Sequence, residues 1–449
     1  MFSFSITATD GAARCGVLST PHGRVDTPCF MPVGTRGAVK AITHRDLEDV
    51  GAQIILGNTY HLHLRPGDEL IARAGGLHVF IGWPHPILTD SGGYQVFSLA
   101  AMRRVTEEGV QFRSHLDGAL HMLTPESATD IQARLGSDIA MVLDELVGAG
   151  ASASARARGG GARAGARGEG ERESARAGAP GEGEGAGARD AGERESARAG
   201  ARERDLREGA TAGSAGEAER AMERTARWAS RARARLLKLR EDRSVAQAVA
   251  RTNPGQAQFG IVQGGTDPAL RTMSVQRTVE IGFEGYAIGG LSVGEPVDLM
   301  YDIVAHTAPQ LPAQQPRYLM GTGMPDDLVE CVARGVDMFD CVLPTRNARN
   351  GQLLTRHGVI SIKNAQYAED LRPPDPECGC STCRRFARAY LRHLYVAGEM
   401  SAATLMTAHN LYFYLDLMGK IRKAIVFGSF EKLRSEFHRT FSRRPQQFR

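Results

Sequence analysis

The sequence lacks several features that would place the protein in a membrane or outside the cell. No run of about 18 uninterrupted apolar residues is present, which is the length a membrane-spanning helix needs. Residues 1–10 contain neither the basic segment nor the apolar segment of a secretory signal. The seven cysteines show no disulfide-like spacing, a pattern typical of reducing compartments. We therefore expect a soluble cytoplasmic protein that does not enter a membrane.

Bulky apolar residues are nearly absent from residues 151–210. These 60 residues include 14 glycines, 12 arginines and 11 acidic residues, with Leu206 as the single bulky aliphatic residue and no aromatic one. Such a composition cannot bury enough apolar surface to offset the entropy of ordering the chain. The segment GERESARAGA begins at Gly170 and again at Gly192, which indicates low-complexity expansion. We interpret residues 151–216 as a disordered insertion.

Outside this insertion, short apolar segments alternate with helical periodicities. The predicted strands are 53–57, 86–89, 138–143, 259–262, 286–288, 317–320 and 338–339. The predicted helices include 125–135, 217–240, 268–281, 296–308 and 325–334, several of which begin with a proline. This alternation favours an α/β fold in which a parallel sheet closes into a (β/α)8 TIM-type barrel. An open doubly wound sheet is the alternative, but no G-x-G-x-x-G motif follows the first strand.

Most of the predicted strands end at a polar residue or a glycine. These residues are Asp90, Asp144, Gln263, Gly289, Gly290 and Asp340, while Met320 ends a further strand. In a barrel the carboxyl ends of the strands share one rim, where catalytic residues from different strands meet. Each aspartate taken alone could instead cap a helix. Three carboxylates and an amide at equivalent strand ends are better explained by a common site.

Three cysteines and one histidine have the spacing of metal ligands. Cys378, Cys380 and Cys383 lie close together, and His409 follows after 25 intervening residues. Three thiolates and an imidazole form a closed, tetrahedral zinc site with no open position for a substrate. Free core cysteines and a surface histidine are the alternative, but the proline-rich, polar segment 373–376 suits a metal-binding turn better. We predict one structural Zn²⁺ ion per chain.

Basic residues are concentrated around and after these predicted ligands. They are Arg384, Arg385, Arg388, Arg392, Lys420, Arg422, Lys423, Lys432, Arg434, Arg439, Arg443 and Arg444. The formal net charge of +4 says little about partners by itself. A run of charges often forms only a solvated face. Beside a zinc site, the same residues also match a phosphate-binding surface for a nucleic acid.

Five long motifs give the chain a family resemblance. They are DSGGYQVFSL from Asp90, FGIVQGG from Phe259, YAIGGLSVGE from Tyr286, RYLMGTG from Arg317 and DMFDCVLPTRNARNG from Asp337. Together with the zinc-ligand spacing, they resemble the queuine/guanine tRNA-ribosyltransferases over essentially the whole chain outside the insertion. That family exchanges guanine at the anticodon wobble position of GUN-anticodon tRNAs for a 7-deazaguanine, with retention at the ribose carbon. The resemblance implies a pentosyltransferase of queuosine biosynthesis whose partners are the tRNA anticodon loop and a 7-deazaguanine base.

The resemblance also implies roles for the rim residues, and the chemistry requires such roles. Retention at a sugar carbon calls for a carboxylate nucleophile and a second carboxyl group that handles protons. Asp340 matches the family nucleophile, and Asp90 matches the general acid/base. Residues that match the base pocket are Asp90, Ser91, Gly92, Gly93, Tyr94, Asp144, Gln263, Gly290, Leu291 and Met320. By this match Tyr94 and Met320 sandwich the base, although Tyr94 could also be a core aromatic residue.

The family's RNA contacts match two segments of this chain. The matching residues are Gly321, Thr322, Gly323, Met324, Pro325, Asp326, Asp327, Thr345, Arg346, Asn347, Ala348 and Arg349. The guanidinium groups of Arg346 and Arg349 would bind phosphates and base edges around a flipped wobble nucleotide. Structural salt bridges are the alternative for this pair. Because members of the family are commonly homodimers, we also expect a homodimer.

Two departures from the family pattern bear on the substrate. Bacterial members usually carry cysteine after the Asp-Glu pair, whereas this chain has Leu146, and the loop that normally follows is replaced by the insertion. The active-site rim is therefore rewritten at this point. Val293 is the bacterial-type residue, whereas the eukaryotic type has glycine to admit the larger queuine. We predict 7-aminomethyl-7-deazaguanine as the incoming base, with queuine as the alternative.

Two rival functions and the domain organisation complete the expectations. A non-catalytic tRNA-binding subunit would not need both Asp90 and Asp340, and a barrel glycosidase acting on free sugars would not need the zinc site. The predicted domains are 1–150 for the first part of the barrel, 151–216 for the insertion, 217–364 for the rest of the barrel, and 365–449 for the zinc-binding subdomain with C-terminal helices.

Overall fold

A computed structural model describes residues 2–94, 96, 103–146 and 215–441. Nearly all of the predicted insertion therefore lies outside the described residues, and so do Arg443 and Arg444. The strands are β1 (Ser3–Asp10), β2 (Ala13–Thr20), β3 (Gly23–Thr27), β4 (Cys29–Gly34), β5 (Ile55–Gly57), β6 (Ile87–Thr89), β7 (Arg103–Val105), β8 (Val110–Arg113), β9 (Leu120–Leu123), β10 (Ile139–Met141), β11 (Ala257–Val262), β12 (Gly285–Ile288), β13 (Arg317–Leu319), β14 (Met338–Cys341), β15 (Gln352–Thr355) and β16 (Gly358–Ser361).

The helices occupy most of the segments between these strands. They are α1 (His44–Asp49), α2 (Thr59–Leu64), α3 (Asp68–Arg73), α4 (Leu77–Ile81), α5 (Pro125–Leu135), α6 (Ala215–Glu241), α7 (Arg243–Val249), α8 (Pro268–Ile281), α9 (Val297–Thr307), α10 (Pro325–Val332), α11 (Leu343–Arg349), α12 (Ser381–Arg385), α13 (Arg388–Val396), α14 (Met400–Val426) and α15 (Phe430–Thr440).

Eight parallel strands close into a barrel in the order β4, β5, β6, β10, β11, β12, β13 and β14, and β14 pairs again with β4. This confirms the (β/α)8 prediction. Seven of the barrel strands overlap segments predicted as strands, and β11, β12 and β14 extend one or two residues beyond them. The eighth, β4, was not predicted; it contains Pro32, and a proline normally argues against a strand interior. In the barrel, Pro32 is in register with Cys341.

The barrel strands are apolar because they are covered on both sides. All six residues of β11 are buried, and so are the residues of β5, β6 and β12. Helices such as α5 and α8 cover the outside, and their ends carry strong local signals. The Asp267 side chain accepts hydrogen bonds from the first backbone N–H groups of α8, and Pro268 follows it. These layers leave the polar strand ends as the natural place for a site.

Three antiparallel units surround the barrel, and the sequence prediction did not include them. Strands β1, β2 and β3 form one sheet, β7, β8 and β9 form a second, and β15 pairs with β16 in a hairpin. In β1 exposed and half-buried residues alternate, which is the two-residue period of a surface strand. That signal was present in the sequence but does not belong to the βα alternation on which the prediction relied.

A second, smaller core lies beside the barrel core. Its buried residues are Ala348, Leu353, Ile360, Ile362, Tyr367, Leu391, Leu394, Ala402 and Met406. The long helix α14 joins the two cores, since Ala402 and Met406 belong to the smaller one while Leu411 and Ile421 pack in the barrel core. The β15–β16 hairpin lies between the cores, with Leu353 and Ile360 in the smaller one and Leu354 and Val359 in the barrel core. None of the helices in the described ranges combines the length and the apolar character needed to span a bilayer.

Candidate active site and metal centre

Asp340 lies at the carboxyl end of β14, where two donors fix one of its carboxylate oxygens. The Tyr318 hydroxyl donates to Oδ1 over 2.6 Å, and the Gly321 N–H donates to the same oxygen over 2.8 Å. Burial raises the pKa of Asp340, and the bonds from Tyr318 and Gly321 oppose that shift. Both donors bind Oδ1, and neither binds Oδ2. The two bonds fix the orientation of the carboxylate. Burial also raises the pKa of Tyr318 well above its usual value, which keeps the phenol a donor.

Asp90 follows β6 and is held by residues at the end of the neighbouring β5. Asn58 Nδ2 donates to its Oδ2 over 2.5 Å, while the N–H groups of Thr59 and Gly92 donate to Oδ1 over 2.9 and 3.1 Å. Burial raises the pKa of Asp90 to about 7, and the negative charges of Asp340 and Asp144 add to the rise. A carboxyl group that titrates near neutrality can both donate and accept a proton.

Asp144 and Gln263 form a hydrogen-bonded pair at the ends of β10 and β11. Gln263 Nε2 donates to Asp144 Oδ2 over 2.6 Å, and the Ser91 hydroxyl approaches Oδ1 at 3.4 Å. Burial raises the pKa of Asp144 to about 6. Gly290 must be a glycine here, because a Cβ at that position would lie 2.3 Å from Gln263 Oε1 and its φ is +68°. The pair therefore offers a carboxylate and an amide side by side as hydrogen-bonding groups for a ligand.

The remaining predicted base-pocket residues lie around these polar groups. Gly93 is so close to Asp144 that a Cβ would lie 3.0 Å from the Asp144 carbonyl oxygen. Tyr94 is 49% exposed, so the interpretation as a core aromatic residue does not hold. Leu291 is buried, and Met320 packs partly against the barrel core. The structure thus brings the predicted catalytic and base-binding residues to the same rim, with Tyr94 presenting an exposed ring.

The two segments predicted to contact RNA differ in how far their side chains reach the surface. Buried positions are Thr322, Gly323, Pro325, Asp327, Thr345 and Ala348, whereas Gly321, Met324, Asp326, Arg346, Asn347 and Arg349 are at least partly exposed. Asp327 already accepts a 2.6 Å hydrogen bond from the Tyr301 hydroxyl. In this conformation the buried positions could reach RNA only through their backbone. Contact by the exposed positions stays a prediction.

Arg346 and Arg349 lie close together on α11, directly after the Asp340 strand. Burial lowers the pKa of the Arg349 guanidinium, and the neighbouring positive charge of Arg346 lowers it further. Burial and a neighbouring like charge both disfavour the charged form of a guanidinium. A bound phosphate would offset that cost for Arg349, and contact of this pair with RNA stays a prediction.

Several basic residues of the C-terminal part are engaged within the protein. Arg388 donates to Asp370 and to the Pro374 carbonyl, Arg422 donates to the Pro28 carbonyl, and Arg434 donates to Glu330. Basic residues that remain exposed are Arg384, Arg385, Lys420, Lys423, Lys432 and Arg439, of which Lys420 pairs with Asp416. The predicted phosphate-binding surface is thus smaller than the sequence indicates.

The four predicted zinc ligands converge on one point. The Nδ1 atom of His409 lies 3.8, 3.4 and 3.2 Å from the sulfurs of Cys378, Cys380 and Cys383. A tetrahedral zinc site with ordinary bond lengths separates its sulfur and nitrogen ligands by roughly 3.6 Å. The four ligand atoms lie within 4.8 Å of one another, so the cluster could hold a metal ion.

Surrounding bonds prepare the cluster for a metal. His409 Nε2 lies 2.7 Å from the Leu354 carbonyl oxygen, so Nε2 carries the proton and Nδ1 has a free lone pair for a metal. Hydrogen bonding from Cys378 and then from Cys383 lowers the pKa of the Cys380 thiol, while hydrogen bonding within the same cluster raises the pKa of the Cys383 thiol. Cys380 also caps α12, since its sulfur accepts from the Cys383 N–H.

A second group of possible ligands lies at the opposite end of the barrel. Nδ1 of His22 and Nε2 of His78 lie 2.8 and 3.0 Å from the two oxygens of Asp138. The two imidazole rings stack with centroids 3.5 Å apart and planes 14° from parallel. Because imidazole lone pairs lie in the ring plane, two stacked rings cannot both point at one ion in this arrangement. The group instead ties the β2–β3 turn to α4 and β10.

Comparison with known proteins decides the family. The family model described as queuine tRNA-ribosyltransferase matches residues 9–160 and 209–443. The chain belongs to the queuine tRNA-ribosyltransferase family. A queuine tRNA-ribosyltransferase of Nitratidesulfovibrio vulgaris is 47% identical over 435 residues, which cover 97% of this chain and 96% of the relative. One of Solidesulfovibrio magneticus is 46% identical over 434 residues, with the same shares covered.

Membership of this family confirms the resemblance seen in the motifs. A relative named queuine tRNA-ribosyltransferase from Sphingopyxis alaskensis is 46% identical over 442 residues, covering 98% of this chain and 99% of the relative. Residues 161–208, which the family model leaves unmatched, fall within the predicted insertion. The predicted site residues all lie in the matched ranges.

Sequence reasoning missed the residues that hold the two catalytic candidates. Asn58 follows β5 as the aspartates follow their strands, so the same rule could have found it. Tyr318 lies inside β13 and is fully buried, so nothing in the sequence separates it from an ordinary core residue.

Proposed function

We propose that this protein is a tRNA-guanine transglycosylase of queuosine biosynthesis. It exchanges guanine at the wobble position of GUN-anticodon tRNAs for 7-aminomethyl-7-deazaguanine, through a covalent intermediate between Asp340 and the ribose. The supporting relatives are named queuine tRNA-ribosyltransferase and cover nearly the whole chain. A homodimer of this protein, with one Zn²⁺ ion in each chain, is part of the proposal.

The observation that carries the proposal is the pair of unlike carboxyl groups at one rim. Asp340 receives two hydrogen bonds on one oxygen, whereas Asp90 is shifted to a pKa of about 7 by burial and by the charges of Asp340 and Asp144. A retaining exchange at a sugar carbon needs one carboxylate that attacks and one carboxyl group that exchanges protons. The two environments supply that division of roles.

In the first half of the reaction, Asp340 attacks the ribose C1′ while the bond from C1′ to the guanine nitrogen breaks. Asp90 gives a proton to the departing guanine and becomes a carboxylate. In the second half, the incoming base loses its proton to Asp90 and attacks C1′, and the bond to Asp340 breaks. Each step inverts the carbon, so the exchange retains its configuration. Asp90 ends the cycle protonated, as it began.

Recognition of the base is assigned to the pocket edge beside these carboxyl groups. Asp144 accepts from the ring N–H and the exocyclic amine, and Gln263 donates to the ring carbonyl, once their mutual 2.6 Å bond gives way to the base. Backbone groups around Gly290 and Leu291 complete the edge. Tyr94 and Met320 cover the two faces of the ring, and Tyr94 is 49% exposed at the rim.

The tRNA is held by basic residues on both sides of the rim. Arg346 and Arg349 bind phosphates next to the flipped nucleotide, where an anion would offset the burial of the Arg349 guanidinium. Cys378, Cys380, Cys383 and His409 hold the Zn²⁺ ion, which supplies structural cross-linking alone because four protein ligands complete its coordination. The zinc-binding subdomain presents Arg384 and Arg385 to the rest of the anticodon stem.

Incorporation of labelled guanine into unmodified tRNA tests the proposal. We expect the parent protein to incorporate guanine, and Asp340→Asn to bind tRNA with unchanged affinity but to incorporate none. If both proteins bind tRNA and neither incorporates guanine, the chain is a non-catalytic tRNA-binding subunit. Exchange on a free glycoside without tRNA would instead support the glycosidase interpretation.

The choice of incoming base is tested separately. Val293 lies in the loop after β12, at the position that has glycine in the queuine-inserting type of the family. We expect the aminomethyl base to win a competition with queuine on unmodified tRNA, and Val293→Gly to shift the ratio towards queuine. Efficient incorporation of queuine by the parent, without the aminomethyl base, would overturn this part of the proposal.

A further inference from the structure

One pair of hydroxyl groups connects two strand ends of the rim. The Ser292 hydroxyl, in the loop of residues 289–295 after β12, lies 2.7 Å from the Thr322 hydroxyl, which follows β13. Thr322 is only 1% exposed. The sulfur of Met300 lies 3.3 Å from the Ser292 hydroxyl and adds a weak contact from α9. We name this Ser292–Thr322 contact the hydroxyl bridge.

The loop on one side of the bridge is held in an unfavourable backbone conformation. Ser292 has a φ of 59°, in the left-handed region that residues with a Cβ seldom adopt. The backbone N–H groups of Ser292 and Val293 donate to the carboxylate of Glu295, the latter over 3.0 Å. Such a conformation persists only where surrounding bonds enforce it. The hydroxyl bridge is one of the bonds that do so.

The segment on the other side of the bridge holds the proposed nucleophile. The Gly321 N–H donates to Asp340 Oδ1 over 2.8 Å, and Thr322 is the next residue. Consecutive residues therefore contact the proposed nucleophile and the proposed base loop. Burial of the Thr322 side chain also leaves it no surface from which to contact RNA, although its position matches the family's RNA segment.

We infer that Ser292 and Thr322 are positioning residues that couple the base-recognition loop to the orientation of the Asp340 carboxylate. The inference rests on the proposed function and adds a contact that positions the loop and the nucleophile relative to each other. Two bases must occupy the same pocket in turn, one leaving and one entering, while the nucleophile keeps its place. A fixed connection between loop and nucleophile keeps both bases in line with the same carbon.

Kinetics of matched variants test the coupling. Thr322→Val keeps the shape and removes the hydroxyl, whereas Thr322→Ser keeps the hydroxyl. We expect Thr322→Val to lower kcat and to raise the KM for the incoming base, with kcat/KM falling roughly tenfold, as loss of one buried hydrogen bond predicts. Thr322→Ser should restore both constants to within about twofold of the parent. Ser292→Ala combined with Thr322→Val should cost no more than Thr322→Val alone, since both remove the same bond.

Thr307→Val is the matched control, because it also removes a buried threonine hydroxyl. That hydroxyl donates to the Ile303 carbonyl within α9, and Thr307 is not one of the predicted site residues. We expect Thr307→Val to alter thermal stability without changing the KM for the base. If Thr322→Val behaves like Thr307→Val in kcat, KM and stability, the inference is wrong.

Hydrogen exchange decides the inference independently of activity. In Thr322→Val the amides of residues 289–295 should exchange faster, and in Thr322→Ser they should regain the protection of the parent. If the parent protein incorporates no guanine, the proposed function is wrong. The hydrogen-exchange result still tests the coupling in that case. Unchanged protection of residues 289–295 in Thr322→Val would overturn it.

Discussion

The barrel rim and the Cys3His cluster both bury ionisable side chains, but they satisfy those side chains in opposite ways. At the rim, burial outweighs the hydrogen bonds, so the pKa of Asp90 rises to about 7 and that of Asp144 to about 6. In the cluster, His409 Nε2 donates to the Leu354 carbonyl, and Nδ1 lies 3.2 to 3.8 Å from the three sulfurs. Buried carboxyl groups with raised pKa values suit proton exchange, whereas a closed set of four ligands suits a structural role.

The largest effect should follow from breaking the cluster, because the smaller core depends on it. Cys380→Ser, or removal of the metal by a chelator, should abolish zinc binding and unfold the region around Leu353, Leu391 and Met406, since a structural zinc site contributes on the order of 10 kcal/mol to folding. Metal analysis and hydrogen exchange measure both. Affinity for tRNA should fall with the loss of structure.

Cys331→Ala is the matched control for that prediction, because Cys331 is a buried cysteine of the barrel core and not a ligand. It should lower thermal stability while keeping one zinc ion per chain. A Cys380→Ser protein that stayed folded and fully active without metal would show that the cluster has no structural role.

A substitution at the rim should lower activity without affecting zinc content or folding. Asp90→Asn should lower guanine exchange by about 10²- to 10⁴-fold, the usual contribution of a general acid/base. Zinc content should stay at the parent value, because Asp90 is bonded to Asn58, Thr59 and Gly92 and not to the cluster. The affinity for tRNA should change little, because phosphate contacts supply most of it. Guanine-exchange kinetics and metal analysis of the same preparation measure the two quantities. Exchange within a few-fold of the parent would remove Asp90 from the reaction.

Arg349 lies where the two regions meet, since α11 follows the Asp340 strand and its Ala348 packs in the smaller core. Arg349→Ala should weaken tRNA binding about tenfold and reduce the dependence of log Kd on log salt by about one, as loss of one phosphate contact predicts. Arg277→Ala, which removes an exposed arginine of α8, is the control and should change neither. An unchanged salt dependence in Arg349→Ala would exclude a phosphate contact.

The smallest predicted effect is on the pH dependence of stability, which the buried carboxyl group of Asp90 lowers as the pH rises. Because the folded-state pKa of Asp90 is about 7 against 3.8 in a free chain, the ionised form is disfavoured by folding, and stability falls as pH rises between these values. Asp90→Asn removes this term. The Tm of Asp90→Asn relative to the parent should therefore rise by a few degrees between pH 5 and pH 8. A constant Tm difference across that range would show that the pKa of Asp90 is not raised.

The two regions were also unequally predictable from the sequence. The four ligands of the cluster can be predicted from the sequence, because three cysteines and one histidine at this spacing are typical of a closed zinc site. The barrel and its polar strand ends follow from periodicity, although β4, which contains Pro32, was not predicted. The residues that support the rim do not follow from the sequence. Tyr318 is indistinguishable from a core residue, and the Ser292–Thr322 contact depends on the conformations of the two loops that follow the paired strands β12 and β13.

Capture of the covalent intermediate tests the central claim most directly. The protein is mixed with unmodified tRNA and analysed by denaturing electrophoresis and by mass spectrometry of the nuclease-treated peptide. We predict a protein–tRNA species that disappears when excess guanine is added, carries the ribose on Asp340, and is missing in Asp340→Asn. An adduct that persists in Asp340→Asn, or a ribose on another residue, would contradict the account.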